Sequence, residues 1–273
     1  MVGRKALEEP LNKAAAVRNG KSAVLTEIGS GLSISQMTRN QFNSLAEHFY
    51  RNSGNAPLLE MLDLDLGGNA LDVGCGAGDN ARLLAARGWN VSGITLSDQE
   101  RQSAERVCSR VWVHNLEDGL PNEANGPYDL VILSHVLEHL TSPEVLLRQI
   151  RQVLGPTGRI AVAVPNVLNW HQRLLFLAGR FEYQSEGIMD STHLRFYTFA
   201  SARRMVEGCG FRVTSAKAAG SILPWGRMRR WAPSLTSSVD RAFCRIRPGL
   251  FGRQLLYAAA PRSMKNLPGS LGA

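Results

Sequence analysis

The sequence predicts an α/β fold in which helices cover both faces of a doubly wound, mostly parallel β-sheet. Short apolar segments of strand character alternate with segments of helical period between residues 69 and 164. This alternation gives parallel strands joined by right-handed crossovers. The segment at residues 128–134 is apolar almost throughout, as expected of a strand buried on both faces of a sheet.

Seven strands and the helices between them follow from the same pattern. We predict strands at residues 69–73, 90–95, 111–113, 128–134, 159–164, 211–216 and 254–260. We predict helices within residues 36–62 and at residues 79–87, 97–108, 143–154, 170–177 and 200–208. The helix at 143–154 has the clearest ends, because Ser142 can cap it, Pro143 suits its first position and Gly155 ends it.

The pattern divides the chain into one domain with two extensions. Residues 1–35 have a poor apolar period and are expected to form a flexible arm. Residues 36–260 form the domain, with insertions at 166–199 and 219–252 that we expect to act as lids. The tail at 261–273 contains Gly, Ser and Pro and is expected to be loose.

Charge and cysteine content narrow the class of protein. The chain has 273 residues and a formal net charge of +8, a balance that suits nucleic acid, an anionic membrane surface or an acidic substrate. No apolar run is long enough to span a bilayer, and no signal-peptide core is present. The cysteines are scattered without metal-binding spacing, so we expect a cytoplasmic protein with reduced thiols at Cys75, Cys108, Cys209 and Cys244.

A glycine-rich turn follows the first strand and indicates a ligand site. The strand ends at Asp72 and Val73, and glycines follow at positions 74, 76 and 78. Glycine lets the backbone turn tightly and lets a ligand approach closely. Ligands of open α/β sheets bind beyond the carboxyl ends of the strands. The G-x-G-x-G spacing differs from dinucleotide-binding and P-loop motifs.

The string D-V-G-C-G-A-G at residues 72–78 closely resembles the first motif of class I S-adenosylmethionine-dependent methyltransferases. Two further strings, V-L-E-H-L at 136–140 and T-H-L-R-F-Y at 192–197, resemble a subgroup that includes the ubiquinone-biosynthesis O-methyltransferases. The resemblance covers roughly residues 40–260. It implies a Rossmann-like, seven-stranded sheet, S-adenosyl-L-methionine as cofactor, and methyl transfer to an acceptor.

The resemblance also implies which residues hold the cofactor. Thr95 stands where most such enzymes carry an acid for the ribose hydroxyls; Gln99 could supply a second contact, and Asp98 is a competing candidate. Asn115 stands where a side chain usually holds the adenine amino group, and Leu116 would pack on the ring. The full predicted cofactor set is Asp72, Gly74, Cys75, Gly76, Gly78, Thr95, Leu96, Gln99, Asn115, Leu116 and Ser134. For Cys75, a small residue tolerated in the turn is favoured over a nucleophile.

Candidate catalytic and substrate residues follow strands four and five. A neutral His193 is suited to take a proton from a hydroxyl or amine, although a role in bracing the lid is an equal alternative. His135 is expected to face cofactor or substrate, and Arg195, Tyr197 and Tyr50 are the substrate candidates. For Arg195 and Tyr50, bracing and simple packing remain the alternatives.

The string His135-x-x-Glu138-His139 could also belong to a metal cluster. Some relatives bind a divalent ion with acidic residues near these positions. His135 replaces such an acid, and histidine suits Mg²⁺ poorly. We therefore predict no metal and a structural role for Glu138.

These features predict a methyltransferase acting on an oxygen or nitrogen of a small biosynthetic molecule. One alternative is a catalytically silent relative that binds or regulates. Another is a methyltransferase of nucleic acid, but no N/D-P-P-Y/F motif follows the fourth strand, so no nucleic-acid partner is expected. Residues 221–253 combine Trp225 and Trp231 with many arginines, including Arg227, Arg229 and Arg230. They suggest peripheral contact with an anionic membrane, with packing against the sheet edge as the alternative.

Overall fold

A computed structural model describes residues 53–62, 64, 67–223 and 225–262. These belong to the compact unit of residues 41–273. Tyr50, the predicted N-terminal arm, most of the helical segment before the first strand and nearly all of the predicted tail lie outside the described residues.

A seven-stranded sheet forms the centre of the structure, in the order β3-β2-β1-β4-β5-β7-β6. β7 runs antiparallel to both of its neighbours, and the other adjacent pairs are parallel. The predicted mostly parallel sheet is therefore confirmed. The strands are β1 (Gly68–Val73), β2 (Trp89–Thr95), β3 (Arg110–Val113), β4 (Tyr128–Ser134), β5 (Leu154–Pro165), β6 (Phe211–Ala219) and β7 (Gln254–Pro261).

Nine α-helices lie before and between these strands within the described residues. They are α1 (Ala56–Leu59), α2 (Asp79–Ala85), α3 (Asp98–Ala104), α4 (Pro143–Val153), α5 (Trp170–Leu177), α6 (Phe199–Gly208), α7 (Arg227–Trp231), α8 (Pro233–Ile246) and α9 (Pro248–Phe251). None of the described helices has the length and apolarity needed to cross a bilayer.

Two hydrophobic clusters cover the two faces of the sheet, because successive residues of each strand point to opposite sides. In β4, Val131 and Leu133 belong to one cluster, while Leu130 and Ile132 belong to the other. All four side chains are fully buried. The apolar run that predicted a doubly covered strand is thus explained.

The ends of α4 differ from the prediction. Ser142 occupies the N-cap position, but its side chain makes no capping hydrogen bond. Leu154, rather than Gly155, ends the helix: its backbone is already extended, with φ −77° and ψ 139°, and it pairs with Tyr128. Strand β5 therefore begins directly after α4 and earlier than the sequence predicts.

The insertion at 219–252 contains three helices that the sequence did not predict. Asp240 lies at their centre: its carboxylate accepts hydrogen bonds from the Ile222 N–H at 3.0 Å and from Trp225 Nε1 at 2.9 Å. Arg229 Nη2 lies 2.5 Å from the other carboxylate oxygen. Burial would raise the pKa of Asp240, but these donors outweigh it and lower the pKa. The two insertions meet where Trp170 Nε1 donates to the Ile222 carbonyl at 2.9 Å.

Candidate active site

The carboxyl ends of β1, β2 and β4 meet at one edge of the sheet, where the glycine turn follows β1. The glycines at positions 74, 76 and 78 all have positive φ, with 51° at Gly76. A Cβ on Gly74 would lie 2.5 Å from Val136 Cγ2, so Gly74 is required for close packing against the loop after β4. Gly76 provides the left-handed backbone that the predicted cofactor cradle needs.

Asp72 is fully buried at the end of β1, and neither of its carboxylate oxygens has a hydrogen-bond partner among the described residues. Its pKa is raised from 3.8 to about 7: burial raises it most, the nearby Asp79 raises it too, and the polar groups of Asn80 and the Ala81 backbone lower it. Because the unfolded chain ionises near pH 3.8 while folded Asp72 keeps its proton to about pH 7, the free energy of unfolding falls as the pH rises from 3.8 towards 7. A bound cation would relieve this cost, and the ammonium group of S-adenosylmethionine fits that requirement.

Thr95 is buried at the end of β2, and its hydroxyl donates to Glu100 Oε2. Glu100 is itself buried in α3, whose N-cap residue Ser97 accepts from the Glu100 N–H at 3.2 Å. An acid therefore does reach the end of β2, from one helical turn further along the chain. The Ser-x-x-Glu spacing was visible in the sequence, but it indicates a capping box rather than a ligand site.

The other predicted residues of this strand end are more exposed. Asp98 and Gln99 lie at the surface, and Asp98 pairs with Arg101 at 3.0 Å. Leu96 is half-buried. Cys75 is a buried residue of the turn itself, and its thiol pKa is strongly raised, first by burial. A high pKa disfavours the thiolate, which agrees with a structural rather than nucleophilic role for this cysteine.

Asn115 and Leu116 follow β3, as the resemblance requires. The Asn115 side-chain oxygen accepts from the Glu117 N–H at 3.0 Å and so caps a short 3₁₀ turn at Leu116–Asp118. Leu116 is buried. The adenine contact of Asn115 stays a prediction: the adenine amino group needs an acceptor, and the Asn115 oxygen that accepts from Glu117 has a second lone pair for it.

His135 and Glu138 form a polar pair in the loop after β4. His135 has φ 58°, and its Nδ1 lies 3.1 Å from Glu138 Oε1. Burial would lower the pKa of His135 and raise that of Glu138, but the attraction between them outweighs both effects. His135 Nε2 also lies 3.1 Å from Gln254 Oε1 on β7.

Glu138, His139 and His193 form a cluster that could hold a metal ion, since one ligand atom of each lies within 4.8 Å of the others. Glu138 Oε2 is buried and has no partner among the described residues. His193 Nδ1 lies 3.1 Å from the Ile188 carbonyl, and His139 Nδ1 lies 3.3 Å from the Thr192 carbonyl. Such contacts orient metal-binding histidines and leave Nε2 for the metal, so the residues fit a borderline ion such as Zn²⁺.

The predicted catalytic and substrate residues of the first insertion already form hydrogen bonds within the protein. His193 is buried, and its pKa is lowered, mainly by burial. Arg195 Nε donates to the Thr141 carbonyl at 3.1 Å. Tyr197 is buried, and its hydroxyl donates to the Leu137 carbonyl at 3.3 Å. The Leu194 and Arg195 N–H groups both bond the Glu138 carbonyl, which fixes this segment on the loop after β4.

Sequence reasoning missed two polar residues at the same edge. Asn55, which precedes α1, donates from Nδ2 to Ser134 Oγ at 3.1 Å and to Gln254 Oε1 at 2.9 Å. The Asn-x-Pro spacing predicts the helix start, but nothing in the sequence indicates that Asn55 reaches Ser134 or Gln254.

Comparison with known proteins identifies the class of protein. The model of the methyltransferase domain family matches residues 42–216. The chain belongs to this family, and the prediction of a class I S-adenosylmethionine-dependent methyltransferase is confirmed. S-Adenosylmethionine is accordingly the methyl donor, and the glycine turn with its unpartnered Asp72 fits that donor.

Named relatives come from the subgroup indicated by the sequence. The chain is 27% identical to a ubiquinone biosynthesis O-methyltransferase of Chromobacterium violaceum, over 68% of this chain and 88% of that protein. It is 29% identical to the protein of the same name from Aeromonas salmonicida, over 54% of this chain and 64% of that protein.

Solved structures show the same fold at lower identity. A SAM-dependent methyltransferase from Archaeoglobus fulgidus aligns with a TM-score of 0.51 and 18% identity, over 72% of this chain and 87% of that one. The (4+2)-cyclase SpnF aligns with a TM-score of 0.50 and 20% identity, over 83% of this chain and 93% of that one. The fold therefore carries more than one kind of chemistry.

Proposed function

We propose that this methyltransferase acts on a hydroxyl or amine of a small biosynthetic molecule, with oxygen favoured. The observation that carries this proposal is the position of His193 beside the loop after β4. The N–H groups of the next two residues, Leu194 and Arg195, fix this position because both donate to the Glu138 carbonyl. The names of the relatives support an oxygen acceptor.

For methyl transfer the protein has mainly to align the acceptor atom with the donor's methyl group and to exclude water. The bound donor supplies an activated methyl group on its sulfonium. We propose that Asp72 holds the donor's ammonium and that the 192–197 segment encloses the acceptor. His193 would accept the acceptor's proton at Nε2, and its lowered pKa keeps it neutral near pH 7. Arg195, which is 41% exposed, would bind an acidic group of the acceptor.

The cluster of Glu138, His139 and His193 offers a second way to activate the acceptor. We propose that Glu138 Oε2 and the Nε2 atoms of the two histidines would hold a divalent ion if one binds. The ion would supply Lewis acidity and lower the pKa of an acceptor hydroxyl. His193 would then be a ligand rather than a base, which revises the expectation that no metal binds.

A panel of labelled methyl-transfer reactions tests the proposed function. We expect transfer from S-adenosylmethionine to phenols or catechols, faster than to amines, and no transfer to RNA or DNA oligonucleotides. Binding of the donor without transfer to any small molecule would support the catalytically silent alternative. Transfer to nucleic acid alone would overturn the proposed acceptor class.

We also propose that the second insertion binds an anionic membrane, which would make the acceptor lipid-linked. Trp231 is 86% exposed at the end of α7, and Ile246 is 70% exposed at the end of α8. The exposed Arg227, Arg230 and Arg245 have no acidic partner among the described residues. Exposed apolar side chains beside unpaired arginines match the chemistry of an anionic bilayer surface.

Arg229 differs from these arginines because it pairs with Asp240 and bonds Ser221. It braces the insertion, so a membrane test must leave it intact. The sequence predicts the same membrane contact for Arg227, Arg229 and Arg230, whereas the structure gives Arg229 a bracing contact that the other two lack among the described residues.

Cosedimentation with vesicles tests the membrane contact. We expect strong binding to anionic vesicles at low salt, weaker binding as salt rises, and a several-fold loss on replacing Arg227 and Arg230 by Gln. The control replaces Arg87 and Arg106, which are exposed near the opposite edge of the sheet, and removes the same charge. Equal recovery with neutral and anionic vesicles would leave packing alone as the role of this insertion.

A further inference from the structure

Asn55 forms hydrogen bonds with three elements at the edge of the sheet where the carboxyl ends of β1, β2 and β4 meet, although it lies far from them in the sequence. Its backbone N–H donates to Asn80 Oδ1 in α2 at 2.7 Å. Its side chain bonds Ser134 at the end of β4 and Gln254 at the start of β7. Gln254 pairs with Pro165 at the end of β5, so it lies at the same edge. Asn55 itself is 9% exposed.

A second observation points to a ligand beside Asn55. Asn80, which accepts from the Asn55 N–H, also interacts with Asp72 and lowers its pKa. Asp72 is fully buried and has no hydrogen-bond partner among the described residues. Asn80 thus connects Asn55 to the buried Asp72 carboxylate at the end of β1, which forms no ion pair with a cationic side chain among the described residues.

The amino-acid end of S-adenosylmethionine carries one ammonium and one carboxylate. The Asp72 carboxylate matches the ammonium, and a side-chain amide matches a carboxylate because it donates N–H bonds without bringing a competing charge. We infer that Asn55 is a donor-positioning residue that closes over this end of the cofactor. One of its Nδ2–H groups would exchange its present acceptor for the donor's carboxylate. The inference rests on S-adenosylmethionine as the donor and is independent of the acceptor.

Gln254 gives Asn55 its orientation. Gln254 Oε1 accepts from Asn55 Nδ2, and Gln254 Nε2 lies 3.3 Å from Asn55 Oδ1. The same Gln254 oxygen lies 3.1 Å from His135 Nε2. Gln254 therefore orients the Asn55 amide, and loss of Gln254 should weaken the same interaction less than loss of Asn55 does.

The test compares two ligands that differ at the amino-acid end. S-Adenosylhomocysteine keeps the ammonium and carboxylate, whereas 5′-methylthioadenosine lacks both. We expect Asn55→Ala to weaken S-adenosylhomocysteine binding about 10- to 100-fold and to leave methylthioadenosine binding unchanged, as measured by calorimetry. Asn55→Asp keeps the size and helix-capping ability of the residue, but its negative charge repels the ligand carboxylate. This variant should therefore lose more affinity for S-adenosylhomocysteine than Asn55→Ala does. Gln254→Ala should give a smaller loss, again for this ligand alone.

Asn69→Ala is the matched control, because Asn69 is exposed near the start of β1 and its side chain accepts a hydrogen bond from Asn90 Nδ2 at 2.9 Å. It should change neither affinity. Equal weakening of both ligands by the Asn55 variants would assign Asn55 to the shape of the crevice and overturn the inference, as would unchanged affinity for both. Failure of the unaltered protein to bind S-adenosylhomocysteine would instead contradict the choice of donor.

Discussion

Replacing Gly76 by Val or Asn is expected to abolish S-adenosylmethionine binding while the sheet remains folded. Gly76 has φ 51° in the turn after β1, and a side chain at this point would occupy the space in which the donor crosses the turn. Valine is strained at positive φ, whereas asparagine tolerates this backbone well. The Asn variant therefore separates loss of binding from loss of folding.

Calorimetry with S-adenosylmethionine and thermal unfolding of each variant check this expectation. Gly88→Asn is the control: Gly88 has φ 79°, and nothing lies within 4 Å of a Cβ placed there. It should bind the donor normally. Unchanged affinity in both Gly76 variants would show that the donor does not cross this turn.

Replacing His193 by Ala is expected to lower kcat by about 10²-fold or more with little change in the affinity for the donor. The side chain is buried beside Glu138 and His139, and its lowered pKa keeps the ring neutral at pH 7. If His193 is the base, activity of the unaltered enzyme should fall as the pH drops below this lowered pKa, because the protonated ring cannot accept a proton.

Measuring the metal content of the protein distinguishes a role of His193 as a base from a role as a metal ligand. After incubation with Zn²⁺ and desalting, a metal-binding cluster should retain zinc in the unaltered protein and lose it in His193→Ala. A base alone predicts no retained zinc in either. His171→Ala is the control, since His171 is exposed on the same insertion. A lower melting temperature with turnover per folded molecule intact would assign His193 to bracing, through its contact with Ile188.

The fold could be predicted because local patterns determine it. The apolar run at Tyr128–Ser134 gave β4 with its observed bounds, and the spacing of the glycines located the turn. The helices of the second insertion could not be predicted in this way. They are organised by Asp240, whose contacts with Ile222 and Trp225 depend on tertiary packing.

The residues of the site could be predicted only where they belong to one local sequence motif. Asn55 and Gln254 are 199 residues apart, and neither belongs to a motif, so no local signal pairs them. Glu100 was missed for a different reason. The family resemblance implies an acid at the strand end, where this sequence has Thr95, whereas the acid that reaches Thr95 comes from the next helix.

The unpartnered carboxylate of Asp72 has a consequence for the lifetime of the protein in the cell. A ligand that binds only the folded state protects it in proportion to the ligand's concentration. Both the methyl donor and its demethylated product carry an ammonium group, and if Asp72 binds this group as proposed above, either one should protect the folded chain during turnover. When both are scarce, the buried charge favours opening and degradation. The folded fraction of this enzyme should therefore rise with the concentration of either ligand.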